Sequence, residues 1–307
     1  MPDEGFTSPG DHPAIAEGCA LADIAIRSLD GVDLERLRLA FVEAFSDYQV
    51  RIDMPPWRFE GMLRRRGFSP GMSFGAFDGN EPVGLLLNAV RPWGGVPTAY
   101  DCGTGVVPAH RRTGLTTRMV AAARDALRAA GVRQYLLEVL KENGPAVQLY
   151  TRLGFTVTRS LVCYAGPREA LAPAPGGGAR IEEVAVSDLD WEALRPCWDF
   201  EPSWQNSVDS IMAGREGMRA VVVRVGGEVA GYGVVEARSG DVPQLAVAKG
   251  HRRAGVGRQL LGALAGMAGS PRLAVLNVEG GPTALHALLA AAGLPVLVEQ
   301  HEMVLPL

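Results

Sequence analysis

The chain has 307 residues, 47% hydrophobic and 21% charged, with a net charge of -4 and a pI near 5.8. That length suits two domains of ordinary size, and the balance excludes a disordered, fibrous or collagen-like chain. The acidic sign argues against a basic nucleic-acid surface, and no run reaches the roughly 18 apolar residues of a membrane span; neither nucleic acid nor membrane is an expected partner.

Four cysteines, Cys19, Cys102, Cys163 and Cys197, show no CxxC spacing and join no Cys/His cluster with metal-ligand spacing. Reduced thiols, a cytoplasmic location and no metal are expected. Residues 1–20 carry acids, Pro and Gly without a charged-then-apolar pattern, and read as a flexible tail.

From residue 72 the chain shows an order that it later repeats. Residues 72–87 read as a strand, a Gly turn and a second strand, and residues 99–107 as a third strand. A basic turn follows, His110-Arg111-Arg112-Thr113-Gly114-Leu115-Thr116, and then a helix with Met119, Val120, Ala123 and Leu127 on one face. An apolar run at 134–140, a short helix and a strand close the unit.

Pro173-Ala174-Pro175-Gly176-Gly177-Gly178 lies in a stretch with the composition of a linker. Beyond it the order returns. Residues 219–235 read as a hairpin and 243–247 as a strand; the turn is His251-Arg252-Arg253-Ala254-Gly255-Val256-Gly257. Leu260, Leu261, Leu264 and Met267 line the next helix, and an apolar run spans 273–278. A repeat of this length marks two copies of one unit. We place them at 21–166 and 180–307, joined by a linker at 167–179.

The basic turn leaves a strand and opens a helix. The first N–H groups of a helix have no acceptor within it, and its dipole favours an anion. Glycine lets the backbone close around that anion, and Arg adds charge. A diphosphate is the natural occupant. The dinucleotide fingerprint GxGxxG fails, because its third glycine is Pro108 in one copy and Leu260 in the other. GxxxxGK[ST] is absent as well.

The turn resembles the coenzyme A motif R/Q-x-x-G-x-G/A of the GNAT superfamily of N-acetyltransferases. Arg252 to Gly257 matches it fully; Arg111 to Thr116 departs at its last position. The first copy also resembles that family in N-x-x-A-x-x-L-Y-x-x-x-G-F, with Asn143, Ala146, Leu149, Tyr150, Gly154 and Phe155 at the fixed places. In the second copy Gly293 is kept, Leu289 stands where Tyr150 stands, and the Asn is missing.

The resemblance implies an α/β fold of two tandem GNAT domains, each a mixed, mostly antiparallel sheet flanked by helices. It implies acetyl-CoA as cosubstrate and an amine-bearing small molecule or peptide as acceptor. The coenzyme would lie on Val106, Val107, Arg111, Arg112, Thr113, Gly114, Leu115 and Thr116, with Asn143 on the pantetheine. In the second copy it would lie on Val247, Arg252, Arg253, Ala254, Gly255, Val256 and Gly257. The strands ending at Val107 and beginning near Tyr135 would splay, often at a bulge. A backbone N–H near Val106 would stabilise the oxyanion. Tyr150 would be the general acid; as the alternative, its ring only packs on the sheet. Asp101 is the candidate base and Glu138 its alternate; Asp101 also reads as a surface carboxylate.

The family's acceptor region falls here at about 41–68 and 91–100. It holds Tyr48, Trp57, Phe59 and Trp93 as ring candidates, or as core packing, and Asp47, Asp53 and Glu60 as candidates for a cationic amine. Arg64-Arg65-Arg66 reads as a solvated helix end, or as facing a phosphate or an acidic partner. Trp191, Trp198 and Trp204 read as core, or as the contact between halves. The first half is expected to be catalytic and the second to bind without turnover. Catalysis by the second half, and a non-catalytic acetyl-CoA-binding module, are the alternatives. The halves would pack as a pseudo-dimer, in a monomer or a homodimer.

Overall fold

The computed structural model describes residues 24–47, 54–171 and 180–307. Cys19, Tyr48, Asp53, the expected tail and the Pro/Gly-rich core of the linker lie outside the described residues.

The first half runs β1 (Ile24–Ser28), α1 (Leu34–Ala44), α2 (Pro56–Arg66), β2 (Phe74–Asp78), β3 (Glu81–Trp93), β4 (Val96–Val106), α3 (Leu115–Ala129), β5 (Gln134–Leu140), α4 (Gly144–Arg152) and β6 (Thr156–Pro167). The second runs β7 (Arg180–Val184), α5 (Trp191–Leu194), α6 (Val208–Ala213), β8 (Met218–Val225), β9 (Glu228–Glu236), β10 (Asp241–Val242), β11 (Gln244–Val247), α7 (Val256–Met267), β12 (Arg272–Glu279), α8 (Ala284–Ala291) and β13 (Val296–Pro306). Local chemistry sets these limits. Asp33 accepts the N–H groups of Glu35 and Arg36 and starts α1. Gly67, at φ +82, ends α2. The β8–β9 hairpin turns on Gly226 and Gly227, both at positive φ. Leu115, Met119, Val120, Ala123 and Leu127 are the buried face of α3, as the period requires.

The strands form two sheets. One has nine strands in the order β1-β2-β3-β4-β5-β13-β6-β12-β10; the other has four, β11-β9-β8-β7. All pairings are antiparallel except β4 with β5 and β10 with β12. The long sheet joins the halves by an exchange. β13, the last strand of the second half, pairs with β5 from Gln300↔Leu140 to Pro306↔Gln134. β6, the last strand of the first half, pairs with β12, and β6 and β13 pair with each other. Each half thus completes the other's sheet.

The cores follow the same exchange. Met303 and Leu305 of β13 lie in one apolar cluster with Tyr135 and Leu137 of β5 and with α3. Tyr164 of β6 lies in another with Leu273 and Val275 of β12 and with α7. Trp204 is fully buried in the first half's core beside Phe59, Leu63 and Tyr100. It stacks on Tyr100 at 5.0 Å, and its indole N–H donates to Arg66 O. Of the three tryptophans, Trp204 is therefore a contact between halves. Trp198 and Trp191 pack on Tyr232 within the second half.

Candidate functional site

The two basic turns share one backbone shape. Arg112 and Arg253 sit at φ +64 and +65, and Gly114 and Gly255 at +79 and +86. Left-handed residues alternating with right-handed ones turn successive N–H groups into one concavity. The helices α3 and α7 begin at Gly114 and Gly255, and no side chain caps either start. Their first N–H groups are thus available to an anion. A Cβ at Gly114 or Gly255 would meet nothing within 4 Å, so the backbone lies open there. These residues fit a diphosphate.

The first arginine of each turn looks inward. Arg111 Nε donates to Val106 O at 3.0 Å, and its guanidinium forks onto Asp47 at 2.5 and 2.7 Å. Arg252 Nε donates to Val247 O at 3.2 Å and pairs with Asp199 at 2.7 Å. Each side chain braces a strand end against its own carboxylate, where the sequence reading had it on the diphosphate. The backbone is what these residues offer an anion. Asp47, engaged by Arg111, is correspondingly occupied rather than set aside for a cationic amine.

The strand ends offer a second feature. Val107 N–H donates to Val83 O, and Ala248 N–H to Ala230 O. Alternation along a strand then points the N–H of Val106, and of Val247, away from that neighbour and into the gap beyond. Val107's N–H is spent within the sheet. The gap itself arises because β4 and β5 pair only over Thr98–Tyr100 and Gln134–Leu136 before they part. A bulge on β4 accompanies the parting: Leu87 and Asn88 are adjacent, while their partners Gly103 and Asp101 are not.

Asp101 is buried at that bulge. Its Oδ1 accepts from Gly103 N at 2.8 Å and its Oδ2 from Thr104 Oγ1 at 2.6 Å. Tyr150 Oη, on α4, lies 3.5 Å from the same Oδ2. The surface reading of Asp101 is therefore corrected. Burial pushes its carboxyl up to about 6, against the pull of Thr104 and Gly103. Tyr150 is itself buried and meets Phe155 edge-on at 5.6 Å. Asn143, assigned to the pantetheine from the motif, uses its side-chain oxygen to cap α4 at Ala146 N.

Glu138 stands on the other side of the sheet. Its Oε2 accepts from Gln205 Nε2 at 2.8 Å and Asn277 Nδ2 at 2.7 Å, both from the second half. Burial raises its carboxyl as well. The basic run on α2 also faces this junction and is not a solvated end. Arg66 donates to Cys102 O and to Gln205 Oε1, and Arg65 to Gln205 O at 3.0 Å; Arg64 alone stays exposed, 3.9 Å from Glu216. Phe59 is core, Trp93 packs on Trp204 at 5.5 Å, and Trp57 carries Arg238 over its ring at 3.8 Å. Glu60 is exposed on α2.

In the second half the parting is wider. β10 ends at Val242, and β11 leaves for the other sheet. A cavity of about 550 Å³ opens there, bounded by the turn at Arg252–Gly257, by Asn277 on β12, by Leu285 and Leu288 of α8, and by Trp198, Asp199 and Phe200. Leu289, in the place of Tyr150, is fully buried in the core. Tyr232, which also lines the cavity, donates to Gln244 Oε1 at 2.5 Å and accepts from Trp198 Nε1 at 2.5 Å.

Sequence reasoning missed Asp47 and Asp199 as the counter-ions of the turns, since they lie 64 and 53 residues upstream of their arginines. It also missed Asn277, whose φ of +56 inside a strand is unusual; an Asn within an apolar run was the one available signal.

The sequence model of the acetyltransferase (GNAT) family matches residues 36–155 and again 184–291. A mycothiol acetyltransferase from Parafrankia sp. (strain EAN1pec) is 30% identical over 178 residues, 52% of this chain and 54% of that protein. The match therefore spans about half the length of that curated relative. Among solved structures, a tandem GNAT protein from the clavulanic acid biosynthesis pathway superposes with a TM-score of 0.68 at 18% identity, covering 92% of this chain and 98% of its own. An N-acetyltransferase from Sphaerobacter thermophilus does so with a TM-score of 0.69 at 18% identity, covering 92% and 96%. The chain belongs to the acetyltransferase (GNAT) family and is built as two GNAT domains in tandem.

Proposed function

We propose that the protein is an acetyl-CoA-dependent N-acetyltransferase of the cytoplasm whose first half transfers the acetyl group to a primary amine of a small molecule or peptide. One observation carries this reading: Tyr150 Oη stands 3.5 Å from Asp101 Oδ2 beside the gap between β4 and β5. Acetyl-CoA, when bound, supplies an acetyl thioester. The turn at Arg111–Thr116 holds the diphosphate on its backbone N–H groups. Val106 N–H faces the gap and stabilises negative charge on the carbonyl oxygen. Asp101, ionised above about pH 6, accepts the proton of the attacking amine, directly or through water. Tyr150 gives its proton to the departing thiolate and recovers one from Asp101. The pair ends each cycle as it began, with one proton moved from nitrogen to sulfur.

Tyr150→Phe tests this. Removing a general acid lowers kcat by about 10²–10⁴-fold, with acetyl-CoA affinity kept. An unchanged kcat removes Tyr150 from the reaction.

The cavity of the second half favours a further part of the reading: that half binds acetyl-CoA without turning it over. It has a complete turn and an open cleft, and Leu289 where the acid would be. Native mass spectrometry is expected to find two equivalents of acetyl-CoA on the intact chain and one on Gly255→Glu. One equivalent on both proteins would reject a second site.

A further inference from the structure

One wall of the second half's cavity is β12, whose register against β6 jumps between Val275 and Val278. Asn277 sits at that jump with φ +56. A non-glycine residue held left-handed in a strand persists only where its surroundings over-determine it. Asn277 is 1% exposed, and every partner of its side chain comes from outside its own strand. Its Nδ2 donates to Glu138 Oε2 at 2.7 Å and to Ser203 Oγ at 3.0 Å. Its Oδ1 accepts from Gln300 Nε2 at 2.9 Å and from Cys163 Sγ at 3.3 Å.

Of these partners only Glu138 is a carboxylate, and it belongs to β5 of the first half. The same carboxylate oxygen receives Gln205 Nε2, and the neighbouring Asn206 Nδ2 donates to Leu276 O at 2.7 Å. The two residues of the jump, Leu276 and Asn277, are thus tied to one anchor, and both line the cavity together with Asn206. Without the jump, β12 would run on in register and its side chains beyond Val275 would change faces. The opening between β11 and β12 would then lose its wall.

We propose that Glu138, a residue of the first half, is a positioning residue for the cofactor site of the second: it holds Asn277 left-handed, and so keeps the acetyl-CoA cleft of the other half open. It touches no cofactor there and acts chiefly through Asn277, with Gln205 on the same oxygen. This rests on the reading of the second cleft as an acetyl-CoA site. Its consequence is directional. The first half shapes the second half's cleft through a contact on the sheet face opposite Tyr150 and Asp101.

The test titrates acetyl-CoA calorimetrically into the full chain carrying Gly114→Glu, which blocks the first turn. In that background Glu138→Ala is expected to weaken binding about tenfold, the factor that 1.4 kcal/mol makes. Glu138→Gln, which keeps an acceptor for Asn277, stays within about threefold of its parent, a shift below that same 1.4 kcal/mol. Glu138→Ala with Asn277→Gly recovers most of the loss, because glycine takes φ +56 without an anchor. A merely structural loss at Glu138 would not be rescued by removing the side chain it holds. Equal affinity in Glu138→Ala and its parent overturns the inference alone. No binding to the parent overturns both the inference and the reading of the second cleft.

Discussion

The two halves carry the same turn and differ in what stands behind it. In both, an arginine braces the strand end against an acid, a left-handed arginine and a left-handed glycine follow, and a helix begins uncapped. Behind the first turn lie a buried carboxyl and a phenol within reach of each other. Behind the second lie Leu289 and an apolar cleft. Binding a diphosphate requires backbone shape, which tolerates changes of side chain. Proton transfer requires two particular groups at one distance. A duplicated unit can therefore lose the second property and keep the first.

The halves are also less separable than a tandem arrangement suggests, and the exchange of β6 and β13 makes that testable. Met303 is in the second half by sequence and in the first half's core by contact. Met303→Asp places a charge in that core. The expected cost is about 4 kcal/mol or more, the size found for an unpaired buried charge. The decisive measurement is where the damage falls. Hydrogen exchange should rise first in β5, at Tyr135 to Val139, and turnover by the first half should fall with it. Protection lost only in α7 and β8–β9 would mean that the halves fold as the linear order of the chain implies.

Much of this was legible in the sequence. The turn, its strand and its helix are local, and so are the period of Met119, Val120, Ala123 and Leu127 and the spacing from Asn143 to Phe155. The repeat then supplied the architecture. The exchange was not legible: residues 296–306 form a strand by local preference, but which strand they pair with is a non-local choice that the pattern does not encode. The same holds for Arg66 and Trp204. The sequence offered a helix end for Arg66, and for Trp204 either core or a contact between halves, but it named no partner for either; each is fixed by one more than 130 residues away. Asp101 was legible as a residue and misjudged as a place. Its burial comes from cover on both faces of β4, where Thr98 to Cys102 are all buried, and alternation does not tell a strand covered on both faces from one half-exposed.

The smaller effect concerns Asp101, and it sharpens the contrast because Val242 stands in its place in the second half, next to the break where Pro243 joins β10 to β11. Burial raises the Asp101 carboxyl from 3.8 to about 6. The folded protein therefore holds that proton more tightly than the unfolded chain does. The resulting stabilisation is complete below pH 4 and is lost as pH rises through about 6. A shift of this size corresponds to about 3 kcal/mol between those limits. Asp101→Asn keeps a neutral amide at every pH. Urea unfolding between pH 4 and pH 7.5 should then show the wild-type chain losing stability relative to the variant by about that amount. Activity should run the opposite way. With Asp101 as the proposed base the carboxylate is the working form, so kcat/KM of the wild type should rise with pH through about 6, and Asp101→Asn should flatten that limb while lowering the plateau. A variant that flattens the stability curve and leaves the rate profile intact would keep Asp101 as a buried structural acid and leave the proton of the amine to water.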